Sequence, residues 1–318
     1  MSDIVTLTVN PAVDVAITVD TIRPIFKLRA KSQRHDPGGG GINVARVIHR
    51  LGGSVSAIYP AGGPIGELLT KLVEKEGVAS KTVRIAGNTR EDFFVAEAST
   101  GQQYRFILAG PQLAEHEWSA CLDLLSSLDP FPDFVVASGS LPEGAPDDFY
   151  ARVIALSKRR GARTVVDTSG PALSAAVSAG VDVIKPNLRE MRDLIGYQPA
   201  DVNEWIAAAK DVVNERQAKV IALTMGHLGA ALVTNDRVLR AQPLPITPRS
   251  AVGAGDSFLG ALIWRLAADA DLRDCFRWAM AAGAAALLNE GTELCRPDDV
   301  NRLADLVVTE VLSGSPPE

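Results

Sequence analysis

The sequence is poor in the residues that build disulfide frameworks and metal centres. Its 318 residues include only three cysteines, Cys121, Cys275 and Cys295, and four scattered histidines. The cysteines are odd in number and lack the close pairing of a metal motif, so we expect reduced thiols in a cytoplasmic protein. A metal site built on histidines is not expected.

Long apolar runs and an excess of positive charge are also missing. No run of about 18 apolar residues occurs, and the first residues lack a basic stretch followed by an apolar one, so we expect neither a membrane span nor a signal peptide. The formal net charge is −6, which argues against non-specific binding to nucleic acid, because that needs a basic surface. Small anions are not excluded, since a few cations and backbone N–H groups can hold a phosphate.

The second half of the chain alternates short apolar runs with segments of helix length. The runs lie at 133–140, 162–170, 181–187 and 218–226, and the helical segments include Asp147–Arg160, Pro199–Gln217 and Asp256–Ala268. This alternation predicts an α/β fold, with a mostly parallel sheet covered by helices on both faces. Ligands bind such sheets at the carboxyl ends of the strands, so polar residues directly after each run are candidates for a site.

The first half contains strands of mixed polarity that do not suit a buried parallel sheet. After an apolar run at Val5–Val9, short strands are predicted at Val13–Thr18 and Leu28–Arg34, and a hairpin at Arg90–Ala98 and Gln102–Leu108. We expect these strands to form a small second sheet, a lid, inserted at about 12–36 and 88–110 into a single domain spanning 1–318.

The segment Ala251–Phe258, which contains Gly253-Ala254-Gly255-Asp256, is the sharpest chemical signal. Its glycines let the backbone approach a ligand closely, and the N–H groups at the start of the following helix can hold an anion. Asp256 could then accept a proton from a hydroxyl placed beside that anion, which is what phosphoryl transfer needs. The alternative is a structural glycine loop with an aspartate in the first helical turn.

A second glycine segment, Gly38–Gly41, precedes a helix predicted from Ile42 or Asn43 to about Leu51. Four glycines cost conformational entropy, so a polyol or phosphate lying on their N–H groups is a good explanation. A flexible hinge is the alternative, and the spacing does not match the dinucleotide-binding fingerprint.

Two further segments follow predicted strands. Asn187 and Glu190 stand three residues apart and suit a water-rich Mg²⁺ shell, although they also match an N-terminal capping box. Gly226 and Gly229, after Thr224, could lie against a nucleotide or simply form a tight turn.

Charged residues of the predicted lid complete the candidates. Asp14, Lys27, Arg90 and Arg105 lie on or near its strands, and cations there could grip a sugar phosphate through charge-assisted hydrogen bonds. Each could equally be a solvated surface charge.

On the two glycine motifs, Gly38–Ala45 and Val252–Ser257, the sequence resembles the PfkB family of ribokinase-like carbohydrate kinases, over nearly the whole chain. Within the family it is most similar to the bacterial minor-type ATP-dependent 6-phosphofructokinases. The resemblance implies a three-layer α/β/α sandwich with a β-sheet lid. It also implies ATP and Mg²⁺ as cofactors, possible K⁺ dependence, and a homodimer formed through the lid.

The resemblance also implies a role for each candidate residue. Asp256 would be the catalytic base, and the N–H groups of Gly253, Ala254 and Gly255 would hold the transferred phosphoryl group. The sugar phosphate would contact Asp14, Lys27, Gly39, Asn43, Arg90, Arg105 and Ser140. The nucleotide would contact Lys185, Asn187, Thr224, Gly226, Gly229 and Asn289. Asn187 and Glu190 would organise Mg²⁺ through water, and K⁺ would lie at Ser250, Val252, Ala286, Asn289 and Gly291.

The implied reaction is phosphorylation of fructose 6-phosphate at its 1-hydroxyl to fructose 1,6-bisphosphate, a step of glycolysis. The alternatives within this class are 1-phosphofructokinase and tagatose-6-phosphate kinase, which would use the same base. A non-catalytic sugar-phosphate-binding protein is a further alternative, but it would gain little from a base beside an anion hole. A nicotinamide-dependent dehydrogenase would need a dinucleotide fingerprint that is not found.

Overall fold

A computed structural model describes residues 3–313. Within this range the strands are β1 (Ile4–Leu7), β2 (Ala12–Val19), β3 (Ser32–Gly38), β4 (Val55–Ala61), β5 (Ala79–Arg84), β6 (Arg90–Glu97), β7 (Gln103–Phe106), β8 (Phe134–Ser138), β9 (Arg163–Asp167), β10 (Val181–Ile184), β11 (Ala218–Thr224), β12 (Ala230–Thr234), β13 (Val238–Ala241) and β14 (Thr309–Ser313).

The helices of the same range alternate with these strands. They are α1 (Gly40–Arg50), α2 (Gly63–Lys75), α3 (Glu115–Ser126), α4 (Phe149–Arg159), α5 (Gly170–Ser178), α6 (Leu188–Ile195), α7 (Val202–Asn214), α8 (Ala254–Ala267), α9 (Leu272–Leu287) and α10 (Pro297–Ala304). No helix among the described residues is long and apolar enough to cross a membrane.

The large sheet has ten strands in the described chain, in the order β14-β13-β12-β11-β10-β9-β8-β1-β4-β5. The pairs from β11 to β5 are parallel, and β12, β13 and β14 join antiparallel. One core cluster packs α3 to α7 on one face, and a second packs α1, α8, α9 and α10 on the other. The predicted α/β/α sandwich is therefore confirmed.

The sheet changes direction between β1 and β8. The chain leaves β1 toward β4 and β5, and it later leaves β8 in the opposite direction toward β9 and β10. A crevice opens at such a switch point because the two neighbouring connections diverge, and ligands bind there at the carboxyl ends of the strands. The segments after β1 and β8 therefore lie at the expected place for a site.

The small sheet has the order β3-β2-β6-β7. One face packs on α1 and α2 through Val13, Val15 and Ile17. The predicted hairpin is confirmed as β6 and β7. The strand predicted at Leu28–Arg34 is displaced: β3 begins at Ser32 and includes Gly38. The mixed polarity misled the prediction, because Leu28 is an exposed residue of the connection, not a strand residue facing a core.

The helix after the glycine run begins earlier than its sequence indicates. α1 starts at Gly40, two residues before the predicted Ile42. Glycine has a low intrinsic helix propensity, but the close contacts of this run with neighbouring strands leave room only for glycine. The three cysteines, which all fall in the described part of the chain, are buried and free, as expected.

Candidate active site

The glycine turn before α8 places a carboxylate at a helix N-terminus. Gly253 caps the helix with a left-handed backbone, φ 70°, a conformation that glycine adopts without steric cost. Asp256 stands in the first turn of α8. The first N–H groups of a helix have no intrahelical acceptors and the dipole is positive there, so this turn can hold an anion beside Asp256.

Asp256 is held by an amide from the other glycine segment. Nδ2 of Asn43, in α1, donates a hydrogen bond to Oδ2 of Asp256 at 2.9 Å. Burial and the negative charge of Asp167 raise the pKa of Asp256 to about 6. The Asn43 amide and the positive charges of Lys185 and Arg46 oppose this rise. The carboxyl group thus ionises just below neutral pH, which suits a general base.

A buried ion pair lies beside the same turn. Asp167 ends β9 and Lys185 follows the neighbouring β10, and Nζ of Lys185 lies 3.2 Å from Oδ1 of Asp167. A β-carbon added to Gly255 would lie 3.3 Å from that Nζ. Burial disfavours the ammonium ion, but the surrounding carboxylates, that of Asp167 first, outweigh it and raise the pKa of Lys185. Lys185 is therefore a fixed positive charge at the turn.

The glycine run brings the backbone against two polar side chains. A β-carbon on Gly38 would lie 2.3 Å from Oδ1 of Asp14, and one on Gly40 would lie 2.3 Å from Oγ of Ser138. Gly39, between them, has φ 105°, which residues with a side chain rarely adopt. Close contact therefore requires these glycines, and the hinge interpretation does not fit them.

Asp14 belongs to a row of three carboxyl groups across the small sheet. It pairs in register with Asp36 on β3 and with Asp92 on β6, and registered partners point to the same face. Burial first, and then the charge of Asp92, raise the pKa of Asp14 to about 8. A protonated carboxyl group donates as well as accepts hydrogen bonds, which suits the recognition of hydroxyls.

Asp14→Asn is expected to stabilise the protein more at pH 8.5 than at pH 5. The folded pKa of Asp14 is about 8 and the unfolded value is about 3.9. The carboxyl group therefore favours the fold fully below its unfolded pKa, and that contribution is lost as pH rises to about 8. In urea unfolding, the substitution should raise the free energy of unfolding at pH 8.5 by at least about 1 kcal/mol more than it does at pH 5.

The exposed Asp148 offers a matched control, since its carboxylate is half accessible to solvent. Asp148→Asn should change the free energy of unfolding by the same amount at pH 5 and at pH 8.5. An Asp14→Asn gain that is equal at pH 5 and pH 8.5 would contradict the raised pKa.

Arg90 and Ser140 are linked through Asn10. Nη2 of Arg90 donates to the carbonyl of Asn10 at 3.2 Å, and Nδ2 of Asn10 donates to Oγ of Ser140 at 3.2 Å. Nη1 of Arg90 lies 3.2 Å from Oδ2 of Asp92 and donates to the carbonyl of Leu108 at 2.9 Å. Arg90 and Leu108 line a cavity of about 710 Å³. Arg90 and Ser140, which are both expected at the sugar phosphate, are thus connected through Asn10, and carbonyl and carboxylate oxygens orient the guanidinium of Arg90.

The expected nucleotide residues follow β10 and β11, which are neighbours. Asn187 caps α6: its Oδ1 accepts from the N–H of Glu190 at 2.9 Å, and Glu190 accepts from the N–H of Asn187 at 2.8 Å. The N–H of Thr224 donates to the carbonyl of the proline before Asn187 at 3.0 Å. Gly226 begins a short 3-10 turn and Gly229 follows it, and both have positive φ. The capping box is therefore formed, and its first residue directly follows Lys185-Pro186 in the chain.

Two touching loops hold the residues expected at a monovalent cation. Oγ of Ser250 donates to the carbonyl of Gly291 at 3.0 Å and accepts from the N–H of Val252 at 3.2 Å. The N–H of Asn289 donates to the carbonyl of Ala286 at 3.2 Å. The buried side-chain amide of Asn289 donates to the carbonyl of Leu294 at 3.0 Å. The first of these loops leads directly into the turn at 253–256, and the second connects α9 to α10.

Two cations expected at the sugar lie apart from Arg90 in the single chain. Lys27 is exposed in the connection between β2 and β3. Arg105, on β7, has its guanidinium carbon 6.0 Å from the ring centroid of Phe94. It lines a second cavity, of about 750 Å³, that extends from the small sheet to the loop at Gly291.

Three residues of this site were not predicted. Asp167 directly ends the apolar run of β9, so the rule of inspecting strand ends would have found it. Arg46 and Asp92 carried no sequence signal, because an arginine on a helix and an aspartate on a polar strand are ordinarily surface residues. In the folded protein Arg46 contacts Asn43, and Asp92 contacts Arg90.

Curated relatives share most of the chain. ATP-dependent 6-phosphofructokinase isozyme 2 of Mycobacterium tuberculosis is 43% identical over 97% of this chain and 91% of its own length. The protein of the same name from Escherichia coli is 40% identical over 95% of this chain and 98% of its own length. A 1-phosphofructokinase of Xanthomonas campestris is 34% identical, with 96% and 97% covered.

Solved structures and a family model agree with these relatives. Escherichia coli phosphofructokinase-2 in complex with substrates and products has a TM-score of 0.90 at 38% identity, covering 95% of this chain and 98% of its own. The same enzyme in complex with potassium has a TM-score of 0.91 at 38% identity, with 96% and 99% covered. The model of the pfkB family of carbohydrate kinases matches residues 7–299. This chain therefore belongs to the pfkB family of carbohydrate kinases.

Proposed function

We propose that this enzyme transfers the γ-phosphoryl group of ATP to the 1-hydroxyl of fructose 6-phosphate. The observation that carries the proposal is the first turn of α8, where Asp256 accepts a hydrogen bond from Asn43 beside a glycine turn and the Lys185 ammonium. A base, an anion-binding helix end and a fixed cation are the parts that phosphoryl transfer requires. The relatives named 6-phosphofructokinase support this choice of sugar.

In this reaction Asp256 takes the proton of the attacking hydroxyl at its carboxylate, the hydroxyl oxygen bonds to the γ-phosphorus, and the bond from that phosphorus to ADP breaks, so that ADP leaves. The N–H groups of Gly253, Ala254 and Gly255 then face the charge on the transferred phosphoryl oxygens, and Lys185 adds a positive charge on the same side. Stabilisation by groups that are already oriented costs no reorganisation during the step. Asp14, Gly39 and Asn43 would bind the sugar hydroxyls.

The residues near the nucleotide fit Mg²⁺ in a water-rich shell. The carboxylates of Asp167 and Glu190 both act on Lys185, and hard oxygen ligands suit Mg²⁺ with several waters retained. When bound, Mg²⁺ neutralises charge on phosphate oxygens. Within the described residues no cluster of three His, Cys, Asp or Glu side chains is placed to hold a metal ion directly. The loops at Ser250 and Gly291 would bind K⁺ through their oxygens.

The lid offers a surface for a second copy of this chain. Ile25, Phe26, Leu28, Phe106 and Ile107 are large apolar residues that are exposed on or beside the small sheet. Contiguous exposed apolar surface commonly marks a protein interface. We also propose that the enzyme is cytoplasmic and forms a homodimer that covers these residues. Lys27 and Arg105 would reach the sugar phosphate only in the dimer.

The test of the proposal is ADP release by the purified protein with MgATP and K⁺. Fructose 6-phosphate, fructose 1-phosphate, tagatose 6-phosphate, fructose and ribose would be offered one at a time. The highest kcat/KM is expected for fructose 6-phosphate. A preference for fructose 1-phosphate would favour the second candidate, which the 1-phosphofructokinase relative supports, and no turnover with any sugar would favour a binding protein.

Arg90→Ala is expected to raise KM for fructose 6-phosphate by roughly 10-fold or more, since a hydrogen bond to a charged group contributes about 1.5–3 kcal/mol. KM for ATP should stay the same, because the expected nucleotide residues lie at the ends of β10 and β11 in the large sheet, whereas Arg90 begins β6 of the small sheet. Initial rates with one substrate varied at a time measure both constants. The exposed Arg189 provides the control Arg189→Ala, and an unchanged sugar KM in Arg90→Ala would make Arg90 a structural residue.

A further inference from the structure

Arg46 is a charged residue in the core behind the proposed catalytic pair. Only 1% of its surface is exposed, and its helix neighbours Ile42, Ala45 and Val47 are buried apolar residues. Burying a guanidinium is costly unless its charge and its donors are satisfied. A position that served packing alone would favour an apolar side chain, so the contacts of Arg46 need an explanation.

The guanidinium of Arg46 has three acceptors. Nη1 donates to the carbonyl of Pro37 at 2.9 Å and to Oδ1 of Asn43 at 3.1 Å, and Nη2 donates to Oε1 of Glu76 at 3.2 Å. The other carboxylate oxygen of Glu76 accepts from Nη2 of Arg50 at 2.8 Å. Arg46 is therefore fixed by Glu76 on one side and faces the glycine segment and Asn43 on the other.

The contact with Asn43 decides which way its amide points. Arginine offers only donors, so the atom of Asn43 that faces it must be the carbonyl oxygen. The amide NH₂ then points the opposite way and donates to Asp256 at 2.9 Å. Without Arg46 the amide could rotate and present its oxygen to the carboxylate, which would disfavour the ionised form of Asp256.

We propose that Arg46 is a positioning residue for phosphoryl transfer, which fixes the Asn43 amide so that Asp256 is held as an oriented carboxylate. The proposal rests on the proposed function, because it takes Asp256 as the base. The hydrogen bonds run from Glu76, which caps the end of α2, to Arg46 and Asn43 on α1, and from Asn43 to Asp256 on α8.

The electrostatics agree with this geometry. The charged groups that act on Asp256 are Asp167 at the end of β9, Lys185 after β10 and Arg46 on α1. Arg46 lowers the pKa of Asp256, and it also lowers that of Asp14. Asp256, with a pKa of about 6, is expected to set the acidic limb of the pH profile, and loss of Arg46 should move that limb to higher pH.

The decisive comparison is between Arg46→Met and Arg50→Met. Both variants remove one of the two cations that pair with Glu76, but only Arg46 contacts Asn43. In Arg46→Met the apparent pKa of the acidic limb of kcat/KM for the sugar is expected to rise by about one unit. At a fixed pH on that limb, kcat/KM should therefore be roughly tenfold lower than in the unmodified enzyme. In Arg50→Met the limb should stay in place even if the unfolding temperature falls.

Arg46→Lys is the second variant, and it decides the question if Arg46→Met does not fold. The single nitrogen of a lysine ammonium cannot occupy the positions of both Nη1, which contacts Asn43, and Nη2, which contacts Glu76. The acidic limb of Arg46→Lys should therefore lie above that of the unmodified enzyme. An acidic limb that stays in place in the folded Arg46 variants, with only stability reduced, would overturn the proposal and leave Arg46 as a structural tie between α1 and α2.

A direct titration separates this proposal from the proposed reaction. Carboxyl-¹³C NMR of aspartate-labelled enzyme, with Asp256→Asn to assign the signal, reports the pKa of Asp256 without turnover. A higher pKa in Arg46→Lys than in the unmodified enzyme supports the positioning role even if the sugar panel fails. An equal pKa in both overturns it, whatever the sugar panel shows.

Discussion

Asp256→Asn is expected to lower kcat by about 10²–10⁴-fold, the range for losing a general base. Asparagine has nearly the same shape and keeps one oxygen toward Asn43, but it cannot accept the proton of the sugar hydroxyl. The glycine turn and Lys185 remain in this variant, so KM for ATP should change little. Steady-state rates with fructose 6-phosphate and MgATP measure the effect.

The stability of this variant provides an internal check. Burial raises the pKa of Asp256 to about 6, so folding stability is lost as the pH rises from the unfolded pKa of about 3.9 to the folded one, and the loss is complete at pH 8. Asp256→Asn should therefore unfold at the same or a higher urea concentration than the unmodified enzyme at pH 8. Asp148→Asn serves as the control for activity. A kcat for Asp256→Asn close to that of the unmodified enzyme would remove Asp256 from the role of base.

Lys185→Met is expected to combine a large loss of activity with a loss of stability. The ammonium lies against Gly255 at the anion-binding turn, and removing a fixed charge from such a position costs about 10²–10³-fold in kcat. The same substitution leaves Asp167, 3.2 Å away in the folded enzyme, buried without its cation. Breaking a buried pair in this way costs up to about 3–5 kcal/mol.

The double variant Lys185→Met with Asp167→Asn distinguishes catalysis from stability. The second substitution removes the uncompensated buried charge that makes loss of one partner costly, so urea unfolding should recover much of the lost stability. Activity should not recover, because the positive charge at the turn is still missing. Activity that returned together with stability would show that Lys185 acts only as a structural partner of Asp167.

Local features of the chain were predicted well where the local structure restricts which residue types are possible. Apolar runs such as those of β8 and β10 indicate buried parallel strands, because both of their faces must be apolar. The anion-binding turn at 253–256 is indicated by its glycines, which let the backbone approach a ligand closely, and the structure adds that Gly253 has a left-handed backbone. The strand at Leu28–Arg34 was placed wrongly, since a polar lid strand has no such constraint and Leu28 is exposed.

The roles of charged residues depended on contacts that the sequence does not show. Arg46 and Arg50 are four residues apart on one helix and both pair with Glu76, yet only Arg46 contacts Asn43. The sequence likewise left open whether Asn187 and Glu190 form a capping box, and the hydrogen bonds of α6 show that they do.

By itself, the sequence determined the α/β class, the strand ends that carry polar residues and Asp256 in the glycine turn before α8. These follow from local periodicity and backbone sterics, which nearby residues decide. The tertiary structure alone decided that Asn43 meets Asp256, that Asp167 pairs with Lys185, and that Asp14 stands in a row of carboxyl groups with a raised pKa. Such properties depend on burial and on distances between residues far apart in the chain, and only the folded arrangement sets those distances.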